Sequence, residues 1–521
     1  MQAGNNISPI ARFLTMLSDS QRYHVLVLLA FAIVTRVGVL FHLDTVTLGW
    51  RQADLSSIAM NYLANGFHFA YPQINWGGPG PGYVEMEFPI IPYFTAMLYK
   101  TFGVHDVFAL VISFLCGIGV VIAIYMLARR LYDSAVALIA GLFAAISPLL
   151  SLASQTFLSE PALILCTVLS LHFLVQWTET DRIRDYALSV LCTTLAALLK
   201  LTALYVGLPI LIVFTMKYGK GILKSAYFWL FGIFSLLPVV LWYTHAHNLY
   251  VEYGNTFGIL SGGYNKFARA ELLLGSEFYI LMAKRILLSV SAPAVFLFFL
   301  HGVFLRPANR IASVLHAWVI SLVIYTLLIA EGNKDMIYYQ LPWLPVLAIF
   351  GSVGFFSLLK HIERASFVES PARQRVALVV VCCLIALSAI GGAERAMRVP
   401  IAALENEARI KTHAEEVRRA TPEGSLIIAV SSYGNEKTPT TIDTPPQMFF
   451  FSGRHGWYLA LAWVTPKTID SLTTDGASCL VLCDADVDSL RSHAALYSHL
   501  SLMYPAVIDR SDLLLFRLAK Q

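Results

Sequence analysis

A succession of long apolar runs, separated by short polar breaks, limits what this chain can fold into. The runs cover Tyr23–Leu43, Val107–Leu127, Ala135–Leu152, Pro161–Trp177, Tyr227–Trp242, Ile286–Leu305, Ile311–Ala330, Leu341–Leu359 and Val376–Gly392. Each holds roughly 16 to 21 residues, the length at which a helix crosses the hydrocarbon of a bilayer. Another region, Tyr186–Met216, is too long for one crossing and divides at its single charge, Lys200. The expectation is about eleven crossings. With 57% apolar and 13% charged residues, the chain lacks the polar surface to keep a globule of this size in water. A net charge of +4, scattered through short loops, offers no patch for nucleic acid.

Lys and Arg concentrate in alternate loops: Arg129 and Arg130, Arg182 and Arg184, Lys217 to Lys224, Arg306 and Arg310, and Lys360 to Arg375. By the positive-inside rule these face the cytoplasm, and the first run reads as a signal anchor. The opposite side then receives residues 44–106, a turn near Gln155–Glu160, Thr244–Glu277, Glu331–Ile337, and everything after Gly392. From about Glu394 charge and turn residues return, with a helix-like stretch at Leu404–Arg419. Strand-like segments follow at Ser425–Val430, Cys479–Leu482 and Leu513–Arg517. The fold class expected is therefore an α-helical polytopic membrane protein with a small external α/β C-terminal domain. Residues 1–393 would form the transmembrane domain, including external loop 44–106, and residues 394–521 the external domain. Five cysteines in apolar runs (Cys116, Cys166, Cys192, Cys382, Cys383) read as small buried hydrophobes. Cys479 and Cys483, on one strand, would stand roughly 13 Å apart and cannot bridge.

Loop 44–106 is too long for a connector and rich in polar and aromatic residues. It carries Gly49-Trp50-Arg51-Gln52-Ala53-Asp54 ahead of a helix-like Leu55–Ala64. It closes with Gly82-Tyr83-Val84-Glu85-Met86-Glu87-Phe88-Pro89 and an amphipathic Ile90–Tyr99 suited to the membrane interface.

A first span followed by a long external loop, with an early Asp, two interfacial helices and a Glu/Pro/Tyr cluster, resembles the GT-C superfamily of polyprenyl-phosphate-sugar glycosyltransferases. The likeness is to the bacterial relatives of the dolichyl-phosphate-mannose protein mannosyltransferases and of the aminoarabinose transferase of lipid A. Leu199-Lys200-Leu201-Thr202 with Pro209, the segment Lys334–Pro345, and the external C-terminal domain agree with it. This resemblance implies an inverting transfer from a polyprenyl-phosphate sugar to a hydroxyl acceptor at the bacterial inner (plasma) membrane, facing the periplasm. The family's base matches Asp54. Physically, desolvation disfavours the carboxylate and Arg51 restores it, so the group can accept a proton near neutral pH. The competing role is a cap for the helix beginning at Leu55.

Glu85 and Glu87 point to opposite sides of an extended segment, so at most one of them joins Asp54; the family pattern favours Glu87. Helix packing or headgroup contact is the alternative for each. Cations are needed for the leaving phosphate. Lys200, which interrupts an apolar run on the external side, and Lys334 are the candidates, with the hydroxyls of Tyr338 and Tyr339 as further donors. Snorkelling of the lysine and an ordinary interfacial aromatic belt are the bland readings. No cofactor is implied outright. His245 and His247, with Glu252, could hold a divalent metal, but the ligand set is incomplete. The glycine-rich Asn255–Asn265 is expected to be a closing loop; its Gly262-Gly263 pair has no phosphate-loop spacing. Rivals are a secondary transporter and a lipid-linked glycan polymerase or ligase. The former calls for repeats and paired broken helices, which the sequence does not reveal; the latter usually carries its large loop late in the chain.

Overall fold

The computed structural model describes residues 8–19, 21–36, 49–262, 265–364, 370–431 and 446–518. Among these, seven helices are long and apolar enough to cross a membrane: Val107–Leu131, Glu160–Thr180, Leu201–Lys224, Ala226–Tyr253, Ile311–Leu328, Ile337–Arg364 and Pro371–Glu394. Two expected crossings are helix pairs bent at a break. Ser134–Ala145 meets Pro148–Ser154 at 64°, and Ser276–Val290 meets Pro293–Val303 at 112°. In each pair a proline opens the second half, where its missing N–H costs nothing and its ring excludes a continuous helix. The sequence reading of unbroken spans is therefore corrected at these two places. The last two expected crossings correspond to shorter helices, Gln21–Val34 and Ile183–Leu199; the end of the first run lies outside the described residues.

The division of Tyr186–Met216 falls at Lys200. There the backbone is extended (φ −163°, ψ 123°) between helix Ile183–Leu199 and the 3-10 turn Leu201–Val206.

Two compact units emerge. The first comprises residues 1–42, 113–240 and 266–399. Its helices associate by close approach and by hydrogen bonds between spans, since lipid gives apolar side chains no reason to prefer one another. Gly302 and Gly354 show the first device: a Cβ on either would lie 2.0 Å from a backbone oxygen of the facing helix, Phe350 O and Phe298 O respectively. Ser170 and Thr193, with hydroxyl oxygens 2.6 Å apart, show the second. Cys382 and Cys383, expected to be buried, are exposed on the last crossing. In lipid an apolar side chain needs no protein cover.

The second unit comprises residues 43–112, 241–265 and 400–521. It thus unites loop 44–106 with the C-terminal residues, a division by contacts that differs from the expected grouping of the loop with the spans. Its centre is a five-stranded sheet built from β1 (Leu426–Ser431), β2 (His455–Ala460), β3 (Ala477–Cys483), β4 (Ala506–Asp509) and β5 (Leu513–Arg517), in the order β2-β1-β3-β5-β4. Strands β1, β2 and β3 are parallel, while β5 runs antiparallel to β3 and β4. Three strands match the sequence expectation; β2 and β4 escaped it. The helix foreseen at Leu404–Arg419 is the end of one 50-residue helix, Pro371–Ala420. One face of the sheet buries Ile428, Leu480, Leu514 and Phe516. The other buries Ile427, Val481 and Leu515 with Phe449 and Tyr458, and Trp76 of the first loop packs against it.

Candidate active site

Between residues 49 and 106 the chain forms helices Trp50–Asn65 and Ile90–Phe102, joined by irregular chain. Because the first begins at Trp50, with Gly49 as its N-cap, Asp54 lies inside the helix rather than at its cap. That removes the capping role. The side chain is 1% exposed and accepts a hydrogen bond from Trp76 Nε1 at 2.9 Å. Burial is the main influence and pushes its pKa up to about 7, with the indole bond and the Arg51 charge pulling the other way. Such a carboxyl is half ionised near neutral pH, which is the condition for a general base.

Arg51, one turn before Asp54, forms an ion pair with Glu87 and lies 4.4 Å from the centre of the Phe257 ring. Glu87 is thus tied to the helix that carries Asp54. Glu85 is fully buried and points elsewhere. It accepts from Thr256 Oγ1 and from Ser261 Oγ at 3.2 Å, while its backbone pairs with Asn255 and Phe257. The glycine-rich segment foreseen as a closing loop is fastened to Glu85 by these bonds; Gly263 and Tyr264 lie outside the described residues. His245 and His247 sit on helix Ala226–Tyr253, not on a strand, so two positions apart they face different ways. His245 Nε2 is 2.7 Å from Ala70 O, and His247 Nδ1 is 2.8 Å from Ser261 Oγ. Among the described residues no three His, Cys, Asp or Glu side chains gather as a metal set.

In the other compact unit, Lys200, Tyr338 and Tyr339 come together. The ammonium lies 4.7 Å and 4.0 Å from the two ring centres, and its Nζ is 2.7 Å from Glu160 Oε1. Tyr338 and Tyr339 belong to a 3-10 turn, Ile337–Trp343, and Tyr339 O accepts from Tyr325 Oη at 2.8 Å. Lys334 is half exposed, 3.5 Å from Glu331 and 3.9 Å from Asp335.

Sequence reasoning missed Trp76 and Glu160. Trp76 sits in irregular chain, Asn75-Trp76-Gly77-Gly78, where no periodicity links it to a helix residue 22 positions earlier. Glu160 did carry a signal: a lone acid opening an apolar span beside Pro161.

A family model described as dolichyl-phosphate-mannose-protein mannosyltransferase matches residues 86–243. ArnT from Cupriavidus metallidurans in the apo state superposes with a TM-score of 0.66 at 17% identity, over 95% of this chain and 98% of that one. The same protein bound to undecaprenyl phosphate gives a TM-score of 0.65 at 17% identity over the same shares. The Archaeoglobus fulgidus oligosaccharyltransferase gives 0.59 at 12% identity, over 89% of this chain and 69% of that one. No curated protein sequence matches the chain. The fold of this multi-pass membrane protein is thus shared with ArnT over nearly the whole of both chains, and the family model falls on residues 86–243 of it.

Proposed function

We propose that the chain is an inverting glycosyltransferase that moves a hexose or pentose from a polyprenyl-phosphate carrier to a hydroxyl acceptor. It would work in the bacterial inner membrane with its chemistry on the periplasmic side. The observation that carries this reading is the state of Asp54, a fully buried carboxyl whose pKa is raised to about 7 and which one indole N–H holds in place. The acceptor O–H gives its proton to Asp54, the oxygen bonds to the sugar's anomeric carbon, and the carbon–oxygen bond to phosphate breaks. The electron pair leaves on the lipid phosphate. Arg51, fixed by Glu87, keeps positive charge a turn away and sustains the ionised form of the base. Glu85 holds the Thr256–Ser261 segment beside this helix. Lys200, Lys334 and the hydroxyls of Tyr338 and Tyr339 are proposed to meet the phosphate. Support for the donor comes from the ArnT structure bound to undecaprenyl phosphate and from the archaeal enzyme bound to dolichol-phosphate.

A secondary transporter remains the second reading, because the two bent helix pairs are a feature it would use. One assay separates them. Purified protein given radiolabelled polyprenyl-phosphate sugar releases free lipid phosphate if it is the transferase. Uptake into liposomes without covalent change would favour transport.

A further inference from the structure

Within the second compact unit lies a cavity of about 230 Å³ lined by Trp76, Gly77, Tyr253, Asn255, Trp457 and Tyr458, together with Gly254. Four aromatic rings and one amide converge on it. Among the described residues no charged side chain lines it. The cavity is built, not left over from loose packing. Gly78 N donates to Gly456 O at 2.7 Å and Gly456 N to Asn75 O at 3.0 Å, which clamps the first loop against β2. A Cβ on Gly78 would lie 2.8 Å from Trp457 Nε1, and one on Gly77 would lie 2.8 Å from Asn255 Nδ2. Glycine at both positions lets the indole and the amide reach their places. Gly78 also has φ +77°, which other residues avoid.

The wall formed by Trp76 leads to the reactive group, since the same indole that lines the cavity donates to Asp54 Oδ1 at 2.9 Å. A molecule resting in the cavity is one side chain away from the base. Its chemistry follows from the lining. An anionic acceptor would lose its hydration here with no cation to replace it. A neutral ring with apolar faces and hydroxyl edges fits better: its C–H bonds lie on the negative faces of indoles and phenols, and its hydroxyls meet an amide that both donates and accepts. The volume is below the roughly 300 Å³ at which pockets for drug-sized ligands begin, so it takes one ring and not an extended chain.

We propose that this cavity is a subsite of the acceptor and that it binds an uncharged pyranose adjoining the unit whose hydroxyl reaches Asp54, so the acceptor is a glycan and not a peptide side chain. Its role as an acceptor site rests on the reading of Asp54 as base; sugar binding in the cavity does not. The test is saturation-transfer NMR on the full-length protein in detergent, with methyl hexopyranosides as probes and a threonine-containing hexapeptide as control. Ring protons of at least one pyranoside should receive saturation in the wild type and equally in Asp54→Asn. Trp457→Ala and Tyr253→Ala should each lower the signal at least fivefold, with Trp457→Phe in between. Absence of pyranoside signal in the wild type, signal from the peptide alone, or an undiminished signal in both alanine variants would overturn the subsite. Should the sugars bind as expected while Asp54→Asn retains full transfer, the base assignment fails and the glycan site stands.

Discussion

Asp54 and Lys200 are both ionisable groups withdrawn from water, and their surroundings treat charge in opposite ways. Lys200, 12% exposed at its side chain, faces a carboxylate at 2.7 Å and the faces of two tyrosine rings. Its charge is compensated, and it is held in position. Among the described residues the side chain that donates to Asp54 is the neutral indole of Trp76, and Arg51, whose charge acts on it, is paired with Glu87. The charge of Asp54 is under-compensated, so the proton is only loosely refused. An ionisable group that a fold compensates is a fixture for binding charge; one that it leaves short is suited to exchanging protons.

The difference between the two groups should show most at Asp54. Asp54→Asn keeps the shape and the indole contact but cannot take a proton, and transfer should fall by roughly 10³-fold, within the range usual for a lost general base. Stability should move the other way. The folded carboxyl titrates near 7 against 3.8 when unfolded, so the native state holds a proton that the unfolded chain gives up between those values. Stability contributed by this group is therefore present below about pH 4, declines as pH rises to about 7, and is flat beyond. The loss is about 4 kcal/mol at most, from 1.4 kcal/mol per pH unit. Asp54→Asn should not show that decline, and melting in detergent at pH 8 should find it more stable than the wild type. A variant inactive but no more stable at pH 8 would mean that the wild-type carboxylate is better compensated than its surroundings indicate.

At Lys200 the expected effect is smaller and structural as well as catalytic. Lys200→Gln leaves Glu160 buried without its cation, and breaking a buried pair costs about 3 kcal/mol. The donor Michaelis constant should rise about tenfold with a lowered melting temperature. The double variant Lys200→Met with Glu160→Leu should recover much of the stability and none of the donor affinity. Recovery of both would reduce the pair to packing.

How much of this was legible in the sequence depended on what each residue reports. The spans were, because hydrocarbon imposes a length and a composition on every crossing. So was the break at Lys200, where a single charge in a long apolar run has to reach an edge. Asp54 could be picked out by motif, but its burial could not, since it depends on Trp76 and on the packing of loop 44–106 with residues 400–521. Pairings between distant segments, such as Lys200 with Glu160 or Glu85 with Thr256, leave no periodic trace. The bends at Pro148 and Pro293 were in principle visible as prolines within apolar runs. Strand β2 escaped because Gly456 and Trp457 do not alternate by polarity.

A finer probe of Asp54 is its hydrogen bond from Trp76, the one side-chain donor to it among the described residues. Trp76→Phe keeps a ring in the cavity wall but removes the donor that favours the ionised form. A bond to a charged group contributes about 1.5 kcal/mol, or roughly one pH unit. The acid limb of the transfer rate should move up by about that much, giving a roughly tenfold loss at pH 6 that disappears by pH 9. A loss equal at both pH values would assign Trp76 to acceptor binding alone.

The smallest effect should come from Lys334. Its side chain is 44% exposed and lies near two acids, Glu331 at 3.5 Å and Asp335 at 3.9 Å, a surface arrangement that contributes at most about 1 kcal/mol. Lys334→Gln should leave the melting temperature unchanged and raise the donor Michaelis constant about twofold, with the effect fading as salt screens the charge. Lys200, shielded from solvent, should keep its effect in salt. A tenfold, salt-sensitive rise from Lys334→Gln alongside a mild change from Lys200→Gln would reverse the assignment. The exposed amine of Lys334 would then be the phosphate's partner, and the compensated Lys200 would serve only to join its helix ends.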